Sequence, residues 1–250
     1  MKNFILTALL MCTGSTILYA QAQFTGWLAS FNTFKLNTKA GISAPGKVRT
    51  SIHAEVQVRS ADQLDHLQTL ILRTGLNVHI NKQLTLTAGY GYISNYRKSG
   101  NVDGYAPEHR IWEQLLYTHN IKKVLVAHRF RLEQRYISKT VVSNNELKTD
   151  SYVYANRIRY FLRNIIPLKK QPVFTKGPFA ALQNEVFLNF GNTKNVNGKT
   201  FDQNRFYVAT GYRFSKSFDL EAGYMNQYIN GKGNAFTNNH IVQIAGYVRM

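Results

Sequence analysis

Apolar and polar residues alternate with a period of two along most of this chain. Within residues 49–59, Ile52, Ala54, Val56 and Val58 alternate with His53, Glu55, Gln57 and Arg59. Within 68–79, Leu70, Leu72, Leu76 and Val78 alternate with Arg73, Gly75, Asn77 and His79. Successive side chains of a strand point to opposite faces, so each run carries one apolar and one polar face. The same pattern predicts strands over 83–96, 109–120, 123–136, 151–163, 179–190, 203–214, 217–229 and 239–250, and a less regular one over 25–37. Single-chain bacterial barrels have even strand numbers, so the expectation is ten strands, or twelve if residues 24–48 hold two.

Lengths and connections choose between a soluble sandwich and a membrane barrel. The runs span about 11–14 residues, where globular strands usually have about 5–6 and a tilted strand crosses a bilayer with about 9–11. Connections alternate between short ones, at 81–82, 121–122 and 215–217, and longer polar ones, at 97–107, 137–150, 191–202 and 230–238. Short periplasmic turns and long outer loops are the barrel pattern. One connection departs from it: 165–178, with Pro167, Pro172 and Pro178, is long on the short-turn side. Aromatic residues near run ends, such as Tyr90, Tyr92, Tyr96, Phe130, Tyr136, Tyr212 and Phe214, suit headgroup-level girdles. The expected fold is therefore all-β, a transmembrane antiparallel up-and-down β-barrel of 10–12 strands.

The N-terminus supports export. Lys2 precedes an apolar run over 4–11, and Ala20-Gln21-Ala22 is a small-x-small cleavage site. Residues 1–22 are expected to be a secretory signal peptide and 23–250 the barrel. The single cysteine, Cys12, falls in that leader after Met11 rather than after a small residue, so lipidation is not expected and the mature chain has no thiol chemistry. No later stretch of about 18 apolar residues offers a spanning helix. The expected location is the bacterial outer membrane, with lipids and the barrel-assembly machinery as partners and the monomer as the unit.

The net charge is +18, and only Lys2 of it lies in the leader. Its placement matters more than its size. Arg129, Arg131 and Arg135, with Glu133 among them, share one parity, and Val126, His128, Phe130 and Leu132 the other. Arg157, Arg159 and Arg163 alternate likewise with Tyr154, Ile158, Tyr160 and Leu162. An arginine facing lipid near mid-membrane costs about 2–4 kcal/mol, so the apolar parity must face lipid and the charged parity the lumen. The lumen then collects Arg59, Arg73, Arg110, Arg129, Arg131, Arg135, Arg157, Arg159, Arg163 and Arg205, with Glu55, Glu133 and Glu185. One strand resists: with Arg110 and Gln114 inside, Glu113 faces lipid unless a β-bulge near Trp112 restores the parity.

Two functions follow from such an interior. A cationic lumen could bind or pass anions such as acidic sugars, carboxylates or phosphates, as a narrow anion-preferring pore or an anion-binding barrel. A fully salt-bridged interior would instead make a closed structural or adhesion barrel. An outer-membrane lipid-modifying enzyme is the third class. None of His53, His66, His79, His109, His119, His128 and His240 has a serine two places on, so no catalytic residue is assigned. No metal-ligand spacing and no glycine-rich phosphate loop is present, so no metal or cofactor is expected. The positive charge sits in lumen-facing strands, which argues against nucleic acid, and Lys169, Lys170 and Lys176 read as a solvated loop.

Several short segments resemble a family of Gram-negative outer-membrane β-barrels known only as a domain of unknown function. They are residues 108–114 (EHRIWEQ), 128–135 (HRFRLEQR), 157–160 (RIRY), 184–187 (NEVF), 202–205 (DQNR) and 222–224 (AGY). The resemblance covers nearly all of the chain after the leader, and the 128–135 run is its most specific part. It implies a barrel and no established activity. Met250 departs from the terminal aromatic usual in barrels, although Val242, Ile244, Val248 and Met250 keep the alternation.

Overall fold

Each period-two run pairs with its sequence neighbour, and the ladder closes on itself. The computed structural model describes residues 20–36, 49–169 and 171–250. Its strands are β1 (Ala20–Lys35), β2 (Arg49–Ser60), β3 (Leu67–His79), β4 (Leu84–Ser99), β5 (Val102–Ile121) and β6 (Val124–Ser143). They continue with β7 (Glu146–Pro167), β8 (Gly177–Phe190), β9 (Phe201–Ser215), β10 (Phe218–Asn230) and β11 (Phe236–Arg249), forming one closed barrel in sequence order.

Eleven strands correct the expectation of an even number. Evenness follows only if every neighbouring pair is antiparallel. Here β1 pairs antiparallel with β2 but parallel with β11, from Ala20↔Phe236 to Thr33↔Arg249. One parallel seam lets an odd wall close. The 25–37 segment supplies most of β1, and of the 24–48 stretch in which two strands were one alternative, residues 37–48 lie outside the described residues. So do residues 1–19 of the expected leader, whose last residues, Ala20–Ala22, pair with Phe236–Asn238.

Two of the expected long loops are strand. The β4–β5 hairpin turns at Gly100 and Asn101, and β6–β7 turns at Asn144 and Asn145. Asn144 and Asn145 both have positive φ (54° and 62°), as a type I′ hairpin turn requires. Alternation fades there because these hairpin tips are exposed on both faces, so nothing selects apolar residues while the backbone stays paired. The long connection after Pro167 also has a structural role. Phe174 packs edge-on against Phe179 with ring centroids 6.1 Å apart, and Arg213 Nη1 donates to the Phe174 carbonyl at 3.0 Å. The segment thus folds back under the barrel and closes its lower end.

The wall has the two faces that the alternation requires. Leu28, Val56, Val58, Leu72, Leu76, Ile111, Phe130, Ile158, Phe206, Val208 and Val242 are exposed on the outside, an apolar belt that only lipid would cover. Tyr136, Tyr152 and Tyr154 stand above it, and Tyr117, Tyr212, Phe214 and Phe218 below. Inside, Trp27, Phe179, Tyr207, Met225 and Ile241 form a buried cluster. Trp112 lies flat against two glycines: a Cβ on Gly89 would stand 2.5 Å from Trp112 Cζ2 and 2.3 Å from the Thr74 carbonyl oxygen. Only glycine allows the indole to cross the lumen at that level.

The parallel seam predicts a cross-link. Leu28 and Ile244 are register partners on the outer face. In a chain with Cys12 replaced, Leu28→Cys with Ile244→Cys should oxidise to a disulfide seen as a mobility shift in denaturing gels. Leu28→Cys with Gln243→Cys, which points inward, should not. Failure of the first pair in folded barrels would refute the seam.

A cationic lumen

Strand register brings the sequence-predicted arginines together. Arg131 pairs with Arg159 and Glu133 with Arg157 between β6 and β7, while Arg110 lies opposite Arg135 between β5 and β6. Adjacent guanidinium groups would repel, and interleaved carboxylates prevent it. Glu133 is fully buried at the centre: Arg157 donates to it at 3.0 and 2.7 Å and Arg159 at 2.6 Å, with Arg110 at 3.8 Å. Glu185 accepts from Arg159 at 3.0 and 2.6 Å and from Arg129 at 2.8 Å, with Arg205 at 3.8 Å. Glu55 pairs with Arg73.

Three further acids complete the network, and sequence reasoning missed them as lumen residues. Glu108 accepts from Arg110 and Arg135, each at 2.6 Å. Asp202 accepts from Arg157 at 2.9 Å. Glu221 pairs with Arg163 and accepts from the Tyr247 hydroxyl at 2.9 Å. Glu108 shares the parity of Arg110, and Glu221 alternates with Leu220 and Ala222, so the signal was present in the pattern. A separate set at the lower rim joins Asp219 to Arg213 and Arg249, each at 2.8 Å.

Six carboxylates against ten arginines leave an excess of positive charge among the described residues. It is concentrated on particular groups. Among the described residues Arg59 has no carboxylate partner; it donates to Gln57 Oε1 at 3.1 and 2.5 Å and lies 3.8 Å over the Trp27 ring. Arg205 lies 5.0 Å from the same ring and 4.7 Å from Phe187. Arg131 donates to Gln114 Oε1 at 3.0 and 2.7 Å and sits 4.5 Å over Trp112. Aromatic faces partly replace carboxylates as neighbours for these cations, since the ring quadrupole attracts a guanidinium.

The filled centre divides the lumen into two spaces. An upper cavity of about 440 Å³, bordered by the loop between β2 and β3, is lined by Arg59, Arg97, Arg110, Arg135, Arg205, Trp27 and Gln203. A lower one of about 140 Å³ lies among Phe31, Glu55, Arg129, Arg131, Phe161 and Tyr247. Trp27, Arg59, Arg73, Arg159 and Arg205 border both.

Outside the lumen, β5 stays in register with β4 and β6 past Trp112, so the bulge that would have turned Glu113 inward is absent. Glu113 is exposed on the outer wall and accepts from Gln134 Nε2 at 3.1 Å. The histidines show no catalytic geometry among the described residues. His128 is hydrogen-bonded to the Tyr160 hydroxyl at 2.9 Å and stacks on His119, and His109 is held between the Tyr90 and Tyr152 hydroxyls. Ser51 Oγ does meet His79 Nε2 at 2.9 Å, but Ser51 is sealed from solvent and its oxygen also accepts from Asn77. No group of three metal-ligating side chains occurs among the described residues.

A closed, up-and-down wall with an apolar outer belt and a charged interior defines a barrel of the outer-membrane type. The chain belongs to the family described as a protein of unknown function (DUF2490), which matches residues 24–238. It is 26% identical over 197 residues to an uncharacterised protein of Methylorubrum extorquens, covering 78% of this chain and 79% of that one. Among solved structures, the β domain of the Bordetella autotransporter BrkA is similar over 82% of each chain at 10% identity, with a TM-score of 0.41, too loose a likeness to carry an argument.

Glu133→Gln should cost about 3–5 kcal/mol of stability, because it strips the charge that three buried arginines share. Glu113→Leu should do the reverse, stabilising the barrel by about 1 kcal/mol, since it removes a carboxylate from the lipid-facing wall. Urea unfolding in lipid vesicles measures both, and equal effects of the same sign would contradict the assignment of faces.

Proposed function

We propose that this protein is an outer-membrane barrel, exported by its N-terminal leader, whose closed lumen binds a small anion from the upper cavity. The observation that carries this reading is the pair Arg59 and Arg205 at Trp27. They are cations bordering a solvent-sized space, one with no carboxylate of its own and the other 3.8 Å from the nearest. Planar, multiply donating guanidinium groups suit carboxylates and phosphates, so acidic sugars, carboxylates and phosphates are the ligand class.

Closure is supported by the centre of the barrel. Trp112, Phe187, Tyr207 and Glu133 are each 1% exposed or less, and Phe174 packs at the lower end. A pore would need a continuous wet path past these side chains. The reading therefore favours binding over conduction, with outer-membrane lipids around a monomer and the barrel-assembly machinery as the partner in biogenesis.

Two measurements on refolded protein test it. Planar bilayers should show no conductance steps. Calorimetry with inorganic phosphate and a uronate should show saturable binding that weakens as ionic strength rises and falls at least about tenfold in Arg59→Gln/Arg205→Gln. Anion-selective steps would replace this reading with a pore, and absence of binding would leave a closed structural barrel.

A further inference from the structure

The wall beside the upper cavity is thinly laddered at one place. The β1–β2 ladder ends at Trp27↔Arg59, while β1 continues upward to Ala20 on the β11 side alone. Above that point side chains replace the ladder. Gly26 N–H donates to Ser60 Oγ at 2.8 Å, and Phe24 N–H to Asp62 Oδ1 at 2.7 Å. Both clips come from the end of β2 and the short loop after it. In that loop Gln63 and Leu64 hold φ of 52° and 64°, a conformation side chains other than glycine seldom adopt.

Directly outside this seam lies an apolar groove of about 610 Å³, lined by Phe24, Leu28, Val58, Leu64, Val242 and Ile244. Trp27, Ser60 and His66 border both the groove and the arginine-lined cavity. Leu64 forms one border of the groove by lying over Gly26, where a Cβ would stand 2.7 Å from Leu64 Cδ2. A polar, cationic chamber and an apolar, lipid-facing channel thus meet where the wall is held by two side-chain hydrogen bonds.

We infer that the ligand is a single-chain anionic amphiphile, its phosphate or carboxylate head on Arg59 and Arg205 and its alkyl chain passing between β1 and β2 above Trp27 into the groove beside Leu64. The head rests on the anion reading above, and the chain is the added claim. Charge complementarity selects the head, and the groove's near lack of polar groups selects the tail. The groove opens onto the apolar belt, so an alkyl chain in it continues into hydrocarbon, while a neutral lipid would leave the guanidinium groups unanswered.

The test uses the full barrel in dodecyl maltoside micelles, with inorganic phosphate and dodecyl phosphate as probes followed by phosphorus NMR. Dodecyl phosphate should saturate at a concentration at least about tenfold lower than phosphate. Arg59→Gln/Arg205→Gln should abolish both. Gly26→Leu, or Ile244→Trp if the first fails to show the heat-shifted mobility of a folded barrel, should remove the chain's advantage and leave phosphate binding unchanged. Equal affinities for the two probes, with no effect of the groove variants, would overturn the passage between β1 and β2 and leave the anion site standing. Dodecyl phosphate binding that survives loss of both arginines would also overturn it, as partition into the micelle or wall. If neither probe binds, both readings fall.

Discussion

The wall as a whole obeys one constraint: a guanidinium group can neither face hydrocarbon nor sit alone in a dry interior. The first half of the constraint fixes parity. Arg129, Arg131, Arg157 and Arg159 must point inward, which turns Phe130, Ile158 and their neighbours outward and sets the orientation of the wall. The second half fixes register. Slipping β7 by one residue against β6 would part Glu133 from Arg157 and turn a row of arginines to lipid. Such a barrel is specified less by side-chain shape than by charge pairing across neighbouring strands, with Trp27, Trp112 and Phe187 acting as aromatic neighbours for arginines whose carboxylates are distant or absent.

Much of this was legible because alternation is a local signal. All eleven runs became strands, and each arginine assigned to the lumen by parity is found there. What the pattern could not carry was contact between distant residues. Asp202 reaches Arg157 from 45 positions away and Glu221 reaches Arg163 from 58, so the network looked more cationic in the sequence than it is in three dimensions. Hairpin tips are illegible for a different reason: above the apolar belt both faces are wet, and the alternation that marks a strand disappears although its hydrogen bonds do not. Closure itself has no local signature, and the parallel partnership of the first and last strands could not be read from either one.

The outer wall shows how titratable residues are accommodated beside lipid. His109, His128 and His240 each share a hydrogen bond with a tyrosine hydroxyl. These pairs give the interfacial rings a polar edge and account for the histidines without catalysis. Glu113 is different, since its one side-chain partner is the amide of Gln134. Its exposure is the cost of keeping Arg110, Trp112 and Gln114 inward on an unbroken β5, where a bulge would have disturbed the packing of Trp112 on Gly75 and Gly89.

The odd wall also sets a demand on assembly. With β1 and β11 running the same way, the start of the first strand and the end of the last lie at opposite ends of the barrel. A barrel with an even count can be threaded with both ends left on the side from which it was delivered. In the proposed membrane setting, one end would have to be carried through the hydrocarbon before the seam can zip. With the leader removed after Ala22, the stretch that would make that journey begins Gln23-Phe24-Thr25-Gly26-Trp27 and carries no charged side chain.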